Sequence, residues 1–330
     1  MKLASLRGAH RDGELVVVDR ALERYIAVPD IAPTLQAALD RWNEVEPELR
    51  AAAAQLESGE PAQTRRFAAQ ACAAPLPRAY QWLDGSAYLH HVELVRRARG
   101  AQMPASFLTD PLMYQGGSDV LLGACDDAAF VSEEHGIDLE AEVAVVTDDV
   151  PLGTTSAASA AHVKLIVLVN DWSLRNLIPG ELAKGFGFVQ SKPATAFSAV
   201  AVTPDELGDA WRDGRLHLPL VSHVNGQVLG RPDAGMDMNF SFYELLAHAA
   251  RTRTLGAGTI LGSGTVANRD PSRGSSCLAE RRTLEMLEYG SARTPFLKFG
   301  DRVRIEMLAE SGASIFGALD QQVVRFRANL

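Results

Sequence analysis

The residues most able to do chemistry are acidic. Glu140 and Glu142 stand two apart in the segment IDLEAEVAVV. Successive side chains on a strand point to opposite faces. That places Leu139, Ala141, Val143 and Val145 on one face, and Glu140, Glu142, Ala144 and Val146 on the other. Two carboxylates on an apolar, inward-looking face repel each other and cost several kcal/mol to desolvate unless a cation offsets them. A hard divalent ion with oxygen ligands does so, typically Mg²⁺, Mn²⁺ or Ca²⁺. Alone, such a pair reads more often as an exposed strand face.

Company strengthens it. VKLIVLVNDWS is a continuous apolar run, as in a strand buried on both faces, and it delivers Asn170 and Asp171 at its end. Asp171 alone reads equally well as a helix cap. Arg175 follows four residues on. The loop LAKGFGFVQSKPAT carries Lys184 and Lys192 in a chain with few lysines and many arginines, so lysine is not a filler cation here. Two histidines, His90 and His91, sit in SAYLHHVELVRRAR, and Glu93 lies at helical i+3 spacing from His90.

The elements that must position these residues are mostly strands. FVSEEHGIDLEAEVAVVTDDV, VKLIVLVNDWS, LPLVSHVNGQVLG, AGTILGSGT, DRVRIEML and QQVVRF read as β-rich runs, and Asn225-Gly226 is a two-residue hairpin signal. Helices are expected over SAYLHHVELVRRAR, SAASAAHV and SFYELLAHAARTR. Strands and helices do not alternate, which disfavours a doubly wound sheet or a TIM barrel. Residues 1–78 read as a small separate module: a hairpin of MKLASL and ELVVVD turning at Asp12-Gly13, then a helix from Pro33 to Leu56 with Leu35, Leu39, Trp42 and Leu49 inward. A linker is expected over ESGEPAQTRRF and the prolines at 75 and 77, and the main domain over 79–330. No dinucleotide fingerprint, P-loop or H-E-x-x-H is present.

Composition narrows the partners. A net charge of −9 and pI near 5.4 argue against nucleic acid or an anionic membrane surface. Cys72, Cys125 and Cys277 are odd in number and form no C-x-x-C pair, which fits a reducing compartment. The first residues form no apolar leader core and no run of about 18 apolar residues occurs, so the expected location is cytoplasmic.

Taken in order, FLTDPLMYQG, DLEAEVAVV, VLVNDWSLRN, QSKPAT, ILGSGTVANRDP, GSSCLAE and FGDRVRIEM resemble the fumarylacetoacetate hydrolase family. The resemblance runs through about 80–330, with N-D-W-S-x-R after E-x-E as its specific part. It implies a mainly β (α+β) fold, a mixed β-sandwich roll with a small N-terminal domain, usually as a homodimer. It implies a divalent metal, Mg²⁺ or else Ca²⁺ or Mn²⁺, held by Glu140, Glu142, Asp171 and a fourth carboxylate, Asp110. Lys192 and Arg175 would stabilise negative charge, and Thr265 in G-S-G-T would bind a substrate carboxylate. Tyr114 and Gln115 are expected at the substrate, because selectivity falls in loops such as 112–119 and 176–191.

The general base departs from the family pattern. Fumarylacetoacetases carry a histidine where this chain has Gly117; another branch carries Y-x-x-H-x-x-E, which Tyr88 and His91 begin but Leu94 interrupts. The expected base is His91 paired with Glu280, and His90 with Glu93 stays open as the alternative. The implied activity is hydrolysis of a carbon–carbon bond in a small diketo acid, fumarylacetoacetate or an acylpyruvate, within aromatic-compound or tyrosine catabolism. A lyase or isomerase such as an oxaloacetate decarboxylase or 2-oxopentenoate hydratase is the second reading, and a non-catalytic metal- or carboxylate-binding protein the third.

Overall fold

The computed structural model describes residues 1–59, 63–98 and 103–328. Glu60, Pro61 and Ala62 of the expected linker and Arg99 at the end of an expected helix lie outside them. The fold is mainly β. One 11-stranded mixed sheet runs through the molecule, and a five-stranded sheet covers part of one face.

The centre of the large sheet is the antiparallel pair Ala141–Thr147 and Val163–Asn170. Both strands are buried on both faces, as their apolar runs require. Their side chains alternate between two cores. Val143, Val145, Ile166 and Leu168 join the core under the five-stranded sheet, with Leu220, Ile305, Leu319 and Val323. Ala144, Val146, Leu165 and Val167 join the core under the N-terminal helices.

The first eighty residues share this sheet. Lys2–Leu6 pairs with Glu14–Val18 through the expected hairpin and, on its other side, with Ala201–Val202. Gly13, at its turn, has φ +70, a left-handed conformation that glycine adopts without a Cβ penalty. The expected Pro33–Leu56 helix is two helices, Leu35–Leu39 and Trp42–Ser58, divided at Arg41, whose backbone leaves helical geometry (φ −133, ψ 34). Trp42, Val45, Leu49, Ala52 and Leu56 make the inward stripe of the longer one. Burying Val45, Leu49 or Leu56 contributes roughly 1.5–3 kcal/mol each, so Leu49→Ala should cost about 2–5 kcal/mol. Instead of running free, the expected linker supplies an edge strand, Arg65–Arg66, on Arg24–Ala27.

The Asn225-Gly226 turn joins Leu220–Val224 to Gln227–Gly230 with φ +51 and +77, the pattern of a two-residue hairpin. Among the elements not foreseen from the sequence are the strand Gln81–Gly85 and the helix Leu278–Tyr289. Among the described residues no helix is long and apolar enough to cross a membrane.

Candidate active site

The carboxylates gather where neighbouring strands end together. Glu142 is the second residue of the strand Ala141–Thr147, and Asp171 follows the end of its antiparallel partner Val163–Asn170. Asp84 lies near the end of Gln81–Gly85, which reaches the pair through Thr259–Gly262, parallel to it on one side and antiparallel to Ala141–Thr147 on the other. Gly262 pairs with both Asp84 and Ala144. A Cβ on Gly262 would collide with Asp84 Oδ1 and the Trp82 ring, so glycine here makes room for the carboxylate.

Asp84, Glu142 and Asp171 form a buried triad with ligand oxygens all within 4.8 Å of one another. Burial, then the charge of Asp171, pushes the Asp84 carboxyl up to about 8. Burial and the neighbouring Asp84 and Asp171 raise Glu142 well above the ordinary range. Neither Glu142 oxygen accepts a hydrogen bond, although both are buried. Like-charged oxygens without donors are what a divalent cation would satisfy, and an all-oxygen donor set suits a hard one. These residues fit such an ion.

Asp171 is also held by protein donors. Thr195 Oγ1 donates to its Oδ1 at 2.8 Å, while Tyr114 OH and Lys192 Nζ reach Oδ2 at 2.5 and 2.6 Å. The surrounding N-D-W run is anchored by side chains: Asn170 Oδ1 accepts from Glu140 N at 3.1 Å, and Trp172 Nε1 donates to Gln321 at 3.1 Å.

Glu140 lies beside the triad in an ion network. Lys192 Nζ is 2.5 Å from its Oε2 and Arg175 Nη2 is 2.7 Å from its Oε1. Burial works against ionisation, but Arg175 and Lys192 outweigh it and hold Glu140 well below the usual carboxylate range. Burial likewise opposes the charge on Lys192, yet Asp171 and Glu140 keep it protonated. Arg175 also donates Nε to Asp138 Oδ2 at 2.8 Å.

His91 Nδ1 lies 2.6 Å from Glu280 Oε2, so this histidine and this glutamate are the pair the fold brings together. His90, the alternative, has a buried Nδ1 without a partner, and Glu93 is exposed. A cavity of about 150 Å³ is lined by His91, Asp84, Glu140, Arg175, Lys192 and Thr265, together with Tyr88, Val92, Tyr114, Ile178 and Phe188.

Two expected residues are placed elsewhere. Asp110, expected as the fourth carboxylate, is 62% exposed and faces His248 Nδ1 at 3.4 Å; Asp84 stands in the cluster instead. Gln115, expected at the substrate, alternates away from Tyr114 on the strand Met113–Gly116. Its amide oxygen, oriented to suit its neighbours, accepts from Gln81 and from Arg253 Nη1 at 2.9 Å. Lys184 is exposed.

Asp84, Asp138 and Thr195 were not foreseen. Asp138 shares the alternation of Glu140 and Glu142, which could have pointed to it. Thr195 closes the quoted QSKPAT motif. Nothing in QWLDG distinguishes Asp84.

With this fold and this cluster, the chain belongs to the fumarylacetoacetate hydrolase family. The family described as fumarylacetoacetate (FAA) hydrolase C-terminal matches residues 81–324, and that described as fumarylacetoacetase N-terminal domain 2 matches residues 1–78. Among solved structures, the fumarylacetoacetate hydrolase from psychrophilic Exiguobacterium antarcticum is similar at 17% identity and TM-score 0.69, over 99% of this chain and 100% of that one. The maleylpyruvate hydrolase from Sphingobium sp. SYK-6, in complex with manganese(II) and pyruvate, is similar at 15% identity and TM-score 0.66, over 99% and 100%. Among curated proteins none matches the chain.

Proposed function

We propose that this chain is a divalent-metal-dependent hydrolase that cleaves the carbon–carbon bond of a small 1,3-diketo acid of the acylpyruvate or fumarylacetoacetate type. The observation that carries the reading is His91, paired with Glu280 behind it, lining the same cavity as Asp84, Glu140 and Lys192. An acid–base group beside a cation site is what addition of water to a carbonyl requires. The Sphingobium neighbour, with manganese(II) and pyruvate, supports the same class of chemistry.

Asp84, Glu142 and Asp171 would hold the cation, with Glu140 alongside. When bound, a Mg²⁺, Mn²⁺ or Ca²⁺ ion supplies Lewis-acid polarisation of the diketo acid. Glu280 accepts the Nδ1 proton of His91, which fixes the tautomer and leaves Nε2 as the base. His91 takes a proton from water, whose oxygen adds to the acyl carbonyl carbon. The bond from that carbon to the methylene between the two carbonyls then breaks, its electron pair leaving as an enolate, that of pyruvate from an acylpyruvate and that of acetoacetate from fumarylacetoacetate. Protonation of the methylene carbon completes a carboxylic acid and pyruvate or acetoacetate. Lys192 and Arg175 offset the negative charge that develops, and the Thr265 hydroxyl orients the substrate carboxylate.

The test is purified protein with Mg²⁺ or Mn²⁺ and a panel of acylpyruvates, fumarylacetoacetate and oxaloacetate, following loss of enol absorbance and release of pyruvate or, from fumarylacetoacetate, of acetoacetate. Turnover of a diketo acid with water consumed is expected. Turnover of oxaloacetate alone would favour the decarboxylase reading. Metal binding without turnover of any of them would favour a non-catalytic binding protein.

A further inference from the structure

Asp138 lines no part of the cavity, yet it holds the supports of both halves of the site. It is fully buried. Its Oδ1 accepts from Leu278 N at 2.7 Å and its Oδ2 from Ala279 N at 2.9 Å. These are the first two residues of the helix Leu278–Tyr289, whose N–H groups have no partner within the helix. A carboxylate also suits the positive end of the helix dipole. The next residue is Glu280, which holds His91. The same Oδ2 accepts from Arg175 Nε at 2.8 Å, and Arg175 Nη2 reaches Glu140 Oε1 at 2.7 Å.

The geometry points to Asp138 as a positioning residue that fixes the His91–Glu280 pair relative to the Arg175–Glu140 pair. The helix behind the base starts on this carboxylate, and the guanidinium beside the cation site ends on it. Three N–H donors converge on two oxygens, and all three are satisfied only by a carboxylate. An asparagine would turn an NH₂ group toward one of the donors. A misplacement on the order of 1 Å between reacting groups can cost about 100-fold in rate. The kinetic part of this inference rests on the hydrolase reading above; the structural part does not.

The experiment compares full-length wild type with Asp138→Asn, both loaded with Mn²⁺ for kinetics on acetylpyruvate. Metal-free protein is used for proton NMR of the downfield His91 N–H bonded to Glu280, assigned by its loss in Glu280→Gln. The variant is expected to fold, with kcat down roughly 10–100-fold and KM changed less than about threefold. The downfield signal should shift or exchange faster. A folded variant with wild-type kcat and an unmoved signal overturns the proposal. So does a variant that fails to fold, since the carboxylate would then support the core and not the site. If wild type turns over no diketo acid, the reaction reading fails, and the NMR signal alone decides the role of Asp138.

Discussion

His91 Nδ1 and Glu280 Oε2, 189 positions apart in the chain, meet at 2.6 Å and join the helix Leu89–Ala98 to the helix Leu278–Tyr289. If His91 is the base, His91→Ala should lower kcat by roughly 10²–10⁴-fold while metal binding persists. Glu280→Gln should lower it less, because the ring keeps a partner of the same shape. An equal loss confined to His90→Ala would reassign the role.

The acidic triad should make the metal-free protein less stable than its fold alone would allow. Added Mg²⁺ or Mn²⁺ is expected to raise the melting temperature, by an amount equivalent to about 2.7 kcal/mol at a hundred times Kd. Glu142→Gln removes a carboxyl whose ionisation burial and its acidic neighbours oppose, so the metal-free variant should melt no lower than wild type and gain nothing from the ion. A variant that keeps the full metal-induced shift would remove Glu142 from the site.

Lys192 is pinned between Glu140 and Asp171. Lys192→Met leaves buried Asp171 without a cation and Glu140 with Arg175 alone, and breaking such a pair costs roughly 3–5 kcal/mol. Thermal melting of metal-free protein measures this. An unchanged midpoint would mean that the lysine contributes nothing to the network.

Glu181 ties down the loop that leads to Lys192. Its carboxylate accepts from the N–H groups of Val189, Gln190 and Ser191 at 3.0, 2.8 and 3.0 Å, and from the Ser191 hydroxyl. The Ser191 hydroxyl, with the backbone donors behind it, lowers its pKa to about 2. A depressed acid stabilises the fold above its unfolded value, and the contribution fades as pH falls through the range between the two. Amides 189–191 should therefore show higher protection factors, corrected for the pH dependence of intrinsic exchange, near neutrality than at about pH 3. In Glu181→Gln their protection factors should be low at both. Equal protection at both pH values in wild type would contradict this.

How far the sequence was legible follows from where the signals lie. Alternation and the unbroken apolar run showed the two central strands, because a sheet buried on both faces writes its burial into residue type. The Asn225-Gly226 turn was legible because few other residues tolerate its backbone. Asp84 was not, since a lone acid at the end of a short strand gains meaning only when Thr259–Gly262 brings it beside Glu142. The helix Leu278–Tyr289 escaped notice because two of its three buried residues are Glu280 and Glu285, which leaves no apolar stripe. Asp110 followed a family pattern, but the fold turns it outward to His248.

The wedge of Thr259–Gly262 between Ala141–Thr147 and Gln81–Gly85 also sets an order of events in folding. Asp84 and Glu142 cannot converge until a strand from far along the chain has inserted between theirs, and such non-local closure comes late and slowly. A cation that needs both can recognise only a nearly finished molecule. Its presence should therefore slow unfolding and leave the refolding rate almost unchanged, which makes ion capture a stopwatch for the closing of the sheet.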